Sequence, residues 1–398
     1  MINLPITSNY REMVALTLIN RISQIESIKA IEAEFTEDRG YKPLNISNWT
    51  TNASFDDEIL KTFRPPSLES PIDYIYTYSL NKDTVAQLNQ KLLGSNPSEL
   101  TNVFMPNTTM AIVNIVNLLK LYDYQRICIV NPAYFSIKNA LKAYGFEFDE
   151  ISVERMNGEC QIPYDKIIEG HFDAVWITSP IFSTSKYYSK EEQAKISALS
   201  KSGILVITDE SFALPGHEIL RELGPVENVI GIYSPHKAIC VNSFKFSVVV
   251  CNKKFEDVFL QWVDVIAGNL PGSCCSAIEH FISKNYDDCF NAYTSFMTNA
   301  REALNESISF RTDLVCDTSE LGSLYTLMHF EKSLPRTIDL DFMRDLIFST
   351  GASLYPGALN GFDERFGFCY RVNLGLYNSV FISKLSSVLE FIDEVSRS

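Results

Sequence analysis

The stretch DAVWITSPIFSTSKYYSKEEQAKISALSKSGILVITD, residues 173–209, places one helical pattern between two short apolar runs. The runs Asp173–Thr178 and Ile204–Asp209 are rich in β-branched residues and have the length of buried strands. The segment 189–202 between them opens with the helix-capping sequence SKEE and is followed by Gly203, a residue type that often ends helices. A strand, a helix and a second strand in this order predict one unit of a parallel sheet.

The same alternation extends over the middle of the chain. Further strands are predicted at Val103–Met105, Arg126–Val130, Phe146–Ile151, Asn228–Ser234 and Phe246–Cys251. A further helix is predicted at 108–121. Strands that alternate with helices are typical of an α/β fold, in which helices cover both faces of a mainly parallel sheet.

The two ends of the chain do not show this alternation of strands and helices. An amphipathic helix is predicted at 10–36, whereas residues 40–70 are rich in Pro, Asn and Ser and are predicted to be extended and irregular. Further predicted elements are a long helical region at 276–311, strands at Leu324–Phe330, Ser353–Tyr355 and Cys369–Leu376, and helices at about 338–349 and 378–396. We therefore expect an N-terminal helix and arm (1–60) that packs with the small domain, a large domain (61–285) and a small α+β C-terminal domain (286–398).

Composition limits the classes of function. The 398 residues carry a formal net charge of -15, which argues against nucleic acid as a partner. No apolar run is long enough to span a bilayer, and the first residues lack the pattern of a signal peptide, so we expect a cytoplasmic protein without a membrane partner. The nine cysteines lack zinc-site spacing, and two are adjacent at Cys274 and Cys275, which indicates reduced thiols and no metal site.

Polar side chains follow the predicted strands, at the edge where ligands bind in open α/β sheets. They are Asn107, Thr108, Thr109, Tyr134, Asp209, Ser234, His236 and Lys237. Together they offer a helix start that can bind an anion, an aromatic ring, a carboxylate and an amine. This set meets the needs of pyridoxal phosphate (PLP), because PLP takes a lysine for its Schiff base and a carboxylate at its ring nitrogen.

The order of six short motifs resembles the class I/II aminotransferases, a family of fold-type I PLP enzymes, from about residue 40 to the C-terminus. The motifs are NTTMAI (107–112), TDESF (208–212), SPHK (234–237), NSFKFS (242–247), PGALNG (356–361) and YRVNLG (370–375). The resemblance implies a three-layer PLP-transferase fold with a mainly parallel seven-stranded sheet and a smaller α+β C-terminal domain. It also implies a homodimer whose active sites are built from both subunits.

The resemblance assigns roles at the centre of the site. Lys237 is expected to form the Schiff base, Asp209 to pair with the ring nitrogen and Tyr134 to stack on the ring. Arg371 is expected to hold the substrate carboxylate, because its planar guanidinium matches that group. The residues expected to hold the phosphate are Asn107, Thr108, Thr109, Ser234 and Lys245.

The resemblance also assigns positions at the rim of the pocket. Tyr78, with Tyr76 as the nearest alternative, is expected to reach the phosphate of the neighbouring subunit's cofactor. Asn48 and Trp49 lie where the N-terminal segment of the family crosses the substrate pocket. His236 could be a proton shuttle beside the lysine, but a structural histidine is the favoured interpretation.

The sequence departs from the family pattern around the phenolic oxygen of the cofactor. Phe182 stands where the family has an asparagine, and Phe212 stands where it has a tyrosine, although both family residues donate to that oxygen. Lys245 replaces an arginine at the phosphate and cannot form a bidentate pair. Fewer donors to that oxygen are expected to raise the pKa of the Schiff base between Lys237 and PLP and to change how well the ring accepts electrons, unless Ser183, Thr184 or a water molecule substitutes.

The leading hypothesis is an aminotransferase that moves an amino group between an α-amino acid and a 2-oxo acid, with Lys237 as the general base. An alternative keeps PLP but changes the reaction to β- or γ-substitution or elimination, decarboxylation, or oxidase or hydroxylase chemistry in specialised metabolism. A third hypothesis is a non-enzymatic regulator, against which the presence of Lys237, Asp209 and Arg371 argues. The side chain of the substrate stays open.

Overall fold

The computed structural model describes residues 8–62, 80–156, 159–224, 227–241, 245–263, 270–311, 313–316, 322–330, 334–362 and 367–397. The α-helices are α1 (Ser8–Arg39), α2 (Ala53–Thr62), α3 (Lys82–Leu93), α4 (Thr108–Leu121), α5 (Phe135–Ala143), α6 (Tyr164–Glu169), α7 (Lys190–Lys201), α8 (Ile219–Leu223), α9 (Pro235–Ala238), α10 (Glu256–Trp262), α11 (Gly272–His280), α12 (Tyr286–Ile308), α13 (Leu340–Thr350) and α14 (Ser379–Arg397). The strands are β1 (Leu44–Asn45), β2 (Leu100–Met105), β3 (Ile127–Asn131), β4 (Phe148–Ser152), β5 (Glu154–Met156), β6 (Glu159–Gln161), β7 (Ala174–Thr178), β8 (Leu205–Glu210), β9 (Val229–Tyr233), β10 (Ser247–Asn252), β11 (Leu314–Cys316), β12 (Tyr325–Phe330), β13 (Ala352–Ser353) and β14 (Cys369–Asn373). Single 3-10 turns lie at Lys253–Phe255, Gly357–Asn360 and Leu374–Leu376, and a π-helical turn lies at Phe281–Asn285.

Seven strands form the central sheet in the order β2-β10-β9-β8-β7-β3-β4. Strand β10 is antiparallel to both of its neighbours, and the other neighbouring pairs that share a ladder are parallel. The prediction of a mainly parallel seven-stranded sheet is therefore confirmed. Thr178 at the end of β7 pairs with Asp209, and Tyr233 at the end of β9 pairs with Glu210, so these three strands end at the same edge.

Helices cover both faces of this sheet. On β7, Ala174 and Trp176 belong to the core that α4, α5 and α10 share, whereas Val175 and Ile177 belong to the core that α7, α11 and α12 share. Every residue of this strand is buried. A strand buried on both faces is largely apolar, which explains the apolar run from Ala174 to Ile177, and only its last residue, Thr178, is polar.

The C-terminal part of the chain forms an antiparallel sheet in the order β11-β12-β14. Helix α13 contacts α14, and both contact β13. The N-terminal segment joins this part, since α1 packs against α13 and β1 pairs in parallel with β13. The division into three units at residues 60 and 285 stays a prediction.

The prediction for residues 40–70 is wrong at Ala53–Thr62, where the structure has α2. Asn52 caps this helix, and its side-chain oxygen accepts a hydrogen bond from the Phe55 N–H at 2.8 Å. Phe55 and Ile59, one turn apart, are buried. The surrounding Pro, Asn and Ser residues obscured this helical spacing in the sequence.

The other predicted helices and strands lie close to their predicted bounds. Helices α1, α4 and α7 match predictions, and the helical region predicted at 276–311 is α11, the π-helical turn and α12. Strand β4 begins at Phe148 rather than at Phe146, because the Phe146 N–H still closes the end of α5 by donating to the Leu141 carbonyl at 3.0 Å. No helix in the described ranges is both long enough and apolar enough to cross a membrane.

Candidate active site

A cavity of about 930 Å³ lies at the carboxyl edge of the central sheet, between the loops that follow β2, β3, β8 and β9. The sequence-predicted residues that line it are Trp49, Asn107, Thr108, Thr109, Tyr134, Phe212, His236, Lys237 and Lys245. An adjoining recess contains Asp209 and Phe182 and shares Tyr134, Phe212 and Lys237 with the cavity. The fold thus brings together residues as far apart in the sequence as Asn107 and Lys245, because neighbouring strands meet at this edge.

Asp209 lies at the end of β8 and is 4% exposed. Its Oδ1 accepts hydrogen bonds from the Ser211 hydroxyl at 2.6 Å and from the Ser211 N–H at 3.2 Å. Burial raises the pKa of Asp209, while the Ser211 hydroxyl and the charge of Lys237 oppose that rise. A carboxylate held in this way can pair with a protonated ring nitrogen, which would add a further opposite charge.

Lys237 lies on the single turn α9, directly after β9. Its Nζ is 4.2 Å from the centroid of the Phe212 ring and 5.7 Å from that of Tyr134. Burial lowers the pKa of Lys237 to about 8, although Asp209 favours the charged form, and Lys245 and Arg371 add to the lowering. The amine is therefore partly neutral near neutral pH, which is the form that attacks a carbonyl.

His236 is 4% exposed and its ring packs 5.1 Å from the ring of Phe246. Burial lowers the pKa of His236 to about 3, and the charges of Lys237 and Lys245 act in the same direction. The imidazole is thus neutral across the physiological range. This favours the structural interpretation over a proton shuttle, which needs a pKa close to the working pH.

A cluster of hydroxyl groups lies at the N-terminus of α4, where the sequence predicts the phosphate. The Thr108 Oγ1 is 2.9 Å from the Ser234 Oγ and 3.1 Å from the Ser247 Oγ, and the two serine oxygens are 2.6 Å apart. Asn107 caps the helix by accepting from the Met110 N–H at 2.9 Å. Hydroxyls at a helix N-terminus suit an anion, because the helix dipole and the free N–H groups both favour negative charge. Lys245 adds an exposed positive charge at the same cavity.

Arg371 is not among the residues that line the cavity, and its guanidinium lies against two that do, Trp49 and Tyr325. It is 1% exposed, and its guanidinium lies 4.2 Å from the Trp49 ring and 4.5 Å from the Tyr325 ring. Its Nε and Nη2 both donate to the Ser47 carbonyl, at 3.1 and 2.6 Å. Its Nη1 has no hydrogen-bond partner among the described residues. Nη1 is therefore the nitrogen of this guanidinium that remains for a carboxylate.

Asn48 is not among the residues that line the cavity, and two other predicted positions are not described. Asn48 is half-buried, and its carbonyl accepts a hydrogen bond from the Asn373 Nδ2 at 2.8 Å, but it does not line the cavity. Tyr78 and its alternative Tyr76 lie outside the described residues. Their predicted roles at the substrate and at the neighbouring subunit stay predictions.

The departures from the family pattern place two phenylalanine rings, Phe182 and Phe212, in the lining of the recess. Phe182 is 5% exposed, and its ring lies 6.0 Å from the Tyr134 ring. Of the two hydroxyls named as substitutes, Thr184 is engaged, because it donates to the Ile181 carbonyl at 2.7 Å. The Ser183 hydroxyl lines the recess and has no partner within the described ranges, so it is the one that is available.

Sequence reasoning missed several residues of this site. They are Thr51, Asp56, Ser211, Ser247 and Tyr325. Ser211 follows Asp209 by two positions, and Ser247 follows Lys245 by two, so their places beside the motifs were a usable signal. Asp56 and Tyr325 come from segments far from the motifs, and only the fold brings them to the cavity.

Comparisons with known proteins agree with this geometry. A family model described as aminotransferase class I and II matches residues 72–371. No relative was found among curated protein sequences.

Three solved structures illustrate the similarity of fold. An alanine aminotransferase from Pyrococcus furiosus has a TM-score of 0.71 and 13% identity, with 96% of this chain and 99% of that chain covered. An aspartate aminotransferase from Rhodobacter sphaeroides has a TM-score of 0.69 and 14% identity, with 89% and 92% covered. A PLP-bound C-S lyase from Staphylococcus hominis has a TM-score of 0.69 and 13% identity, with 90% and 96% covered.

The residues of the site fit PLP on their own chemistry. The recess holds a buried carboxylate and a lysine of lowered pKa, and the hydroxyl cluster with the start of α4 offers donors to a phosphate. The family match extends over most of the chain. The chain therefore belongs to the class I and II aminotransferase family, and its cofactor is pyridoxal phosphate.

Proposed function

We propose that this protein is an aminotransferase that moves an amino group between an α-amino acid and a 2-oxo acid. The observation that carries the proposal is that Lys237 and Asp209 face the same recess, with the pKa of Lys237 lowered to about 8. A base with a pKa near the working pH is efficient in proton transfer, which transamination requires at the substrate α-carbon.

The residues of the site would have separate roles in this reaction. When bound, PLP supplies the electron sink for the negative charge that develops at the substrate α-carbon. Lys237 would hold the cofactor covalently and, when an incoming amine frees its Nζ, would carry the α-proton. Asp209 would keep the ring nitrogen protonated, and the hydroxyls of Thr108, Ser234 and Ser247 would hold the phosphate.

Arg371 would bind the substrate α-carboxylate through its unpartnered Nη1. The aromatic rings of Trp49 and Tyr325 exclude water from this guanidinium. A charge pair is stronger where water is excluded, so the substrate would be fixed with its α-carbon held toward Lys237.

The second candidate is elimination or substitution at the β- or γ-carbon of an amino acid. The observation that favours it is the pair Phe182 and Phe212, which line the recess where the family pattern has two donors to the cofactor's phenolic oxygen. Ser183 is a smaller donor in the same recess, so the balance of charge on the cofactor would differ from that of an ordinary aminotransferase.

Product analysis separates the two candidates. The PLP-loaded protein is given amino acids with and without a leaving group at the side chain, each with and without an added 2-oxo acid. Transamination forms a new amino acid only when the 2-oxo acid is present and releases no ammonia. Elimination releases ammonia and the leaving group without the 2-oxo acid.

The control variants are Lys237→Ala, which removes the proposed base, and Lys201→Ala, which removes an exposed lysine at the end of α7. We expect Lys201→Ala to retain the turnover of the wild type and Lys237→Ala to lose it. Turnover by Lys237→Ala equal to that of the wild type would refute the proposed role of Lys237.

We also propose that the protein works as a cytoplasmic homodimer. The support is the family resemblance, in which both subunits build each site, together with the absence of disulfide-type or membrane-type patterns in the sequence. Sedimentation analysis of the PLP-loaded protein tests this, since a monomer at micromolar concentration would contradict it.

A further inference from the structure

The wall of the cavity contains one acidic side chain, Asp56, as the only carboxylate among the described residues that line it. It lies in the first turn of α2 and is half-buried. The apolar and aromatic residues that line the same cavity include Trp49, Ile59, Cys240, Val241, Leu324 and Tyr325. Neither the family motifs nor the reaction proposed above assigns a role to the Asp56 carboxylate.

The position of Asp56 is fixed by its helix. Phe55 and Ile59 bury the inner face of α2, and the Phe55 ring lies 4.5 Å from the ring of Phe296. The Asp56 N–H donates to the Asn52 carbonyl at 3.0 Å. This packing fixes the helix that places Asp56 in the cavity wall.

The hydrogen bonds of Asp56 leave room for a ligand. Its Oδ1 accepts from the Thr51 hydroxyl, whereas no described residue donates to its second oxygen, Oδ2. The carboxylate also lies close to Cys240, whose thiol pKa is raised by burial and further by the charge of Asp56. Cys240 lies one turn beyond Lys237, because its N–H donates to the Lys237 carbonyl at 3.2 Å. Asp56 therefore lies near the segment that carries Lys237.

We propose that Asp56 binds a positively charged group on the side chain of the substrate, so that the substrate is an amino acid with a basic side chain, such as lysine or ornithine. This inference rests on the proposed function. A half-buried carboxylate with an open oxygen attracts a cation and repels an acidic side chain. The apolar lining around it matches the methylene stem that precedes such a charge.

Binding by a series of related amino acids tests the proposal. Lysine, norleucine and glutamate are titrated into the PLP-loaded protein, and the change in visible absorbance gives the dissociation constant of each. Norleucine has the stem of lysine without the amino group, so the comparison isolates the charge. We expect the wild type to bind lysine at least about tenfold more tightly than norleucine, and glutamate more weakly than both.

Two variants locate the effect. Asp56→Asn keeps the shape and removes the charge, and we expect it to weaken lysine binding by about ten- to a hundredfold while norleucine binding changes by less than about threefold. Asp57→Asn removes the same charge from the exposed neighbouring position on α2 and is expected to change neither by more than about twofold. Cofactor absorbance and thermal unfolding establish that both variants are folded.

The outcomes distinguish this inference from the proposed function. If the wild type binds norleucine as tightly as lysine, or if Asp56→Asn retains the preference for lysine, the inference is overturned and the aminotransferase proposal stands. If no amino acid changes the absorbance of the wild type, the proposed function is overturned, and the inference with it.

Discussion

The lowered pKa of Lys237 leads to a quantitative prediction about how the apoprotein takes up PLP. An ordinary lysine has a pKa of 10.5, and that of Lys237 is about 8, so the difference is about 2.5 units. Because each unit changes the neutral fraction tenfold, Lys237 has about 300 times more neutral amine at pH 7 than an ordinary lysine. The rate of attachment to PLP should therefore rise with pH up to about 8 and level off above it.

The perturbation that tests the cause is Asp209→Asn. The charge of Asp209 favours the protonated form of Lys237, whereas burial, Lys245 and Arg371 oppose that form. Removing the carboxylate should therefore lower the pKa of Lys237 further and shift the midpoint of the rate profile below pH 8. The amide keeps the volume of the side chain, so the shape of the recess is preserved.

The assay mixes apoprotein with PLP in a stopped-flow instrument and follows the visible absorbance from pH 6 to pH 10. A simple alkylamine under the same conditions corrects for the ionisation of PLP itself, and Lys237→Ala gives the background from other lysines. A wild-type midpoint near pH 10 would refute the reasoning, and so would a midpoint that Asp209→Asn leaves unchanged.

Three further predictions follow from other parts of the structure. Ser247→Ala should weaken PLP binding by about threefold to tenfold, because the phosphate site loses one hydroxyl, and equilibrium dialysis measures this. Trp49 covers Arg371, so a carboxylate ligand should change the tryptophan emission of the wild type but not of Trp49→Phe. Burial raises the pKa of Glu218 to about 9, so the folded state keeps a proton that the unfolded state loses above about pH 4.5. The unfolding free energy should fall with rising pH between 5 and 9, by at most about 1.4 kcal/mol per unit from this group, and Glu218→Gln should flatten that slope in urea titrations.

The central sheet and the centre of the site were predictable because their signals are local. Each buried strand is an apolar run of its own, and Asp209 and Lys237 follow such runs directly. In an α/β sheet the carboxyl ends of the parallel strands lie at one edge. Residues that follow different strands could therefore be predicted from the sequence to lie close together.

The rest of the site depends on packing that no local pattern encodes. Helix α2 was missed because its cap, Asn52, stands in a segment whose composition is typical of loops. The stacking of Trp49 on Arg371 joins positions 322 apart, and it hides the guanidinium from the cavity. Asp56 reaches the cavity only because α2 packs on α12.

The most direct test of the account is the identity of the lysine that carries the cofactor. The PLP-loaded protein is reduced with borohydride and digested, and the modified peptide is identified by mass spectrometry. We expect one stable PLP adduct, on Lys237, and only the background modification of other lysines in Lys237→Ala. An adduct on another lysine while Lys237 stays unmodified, or a wild type that takes up no PLP, would contradict it.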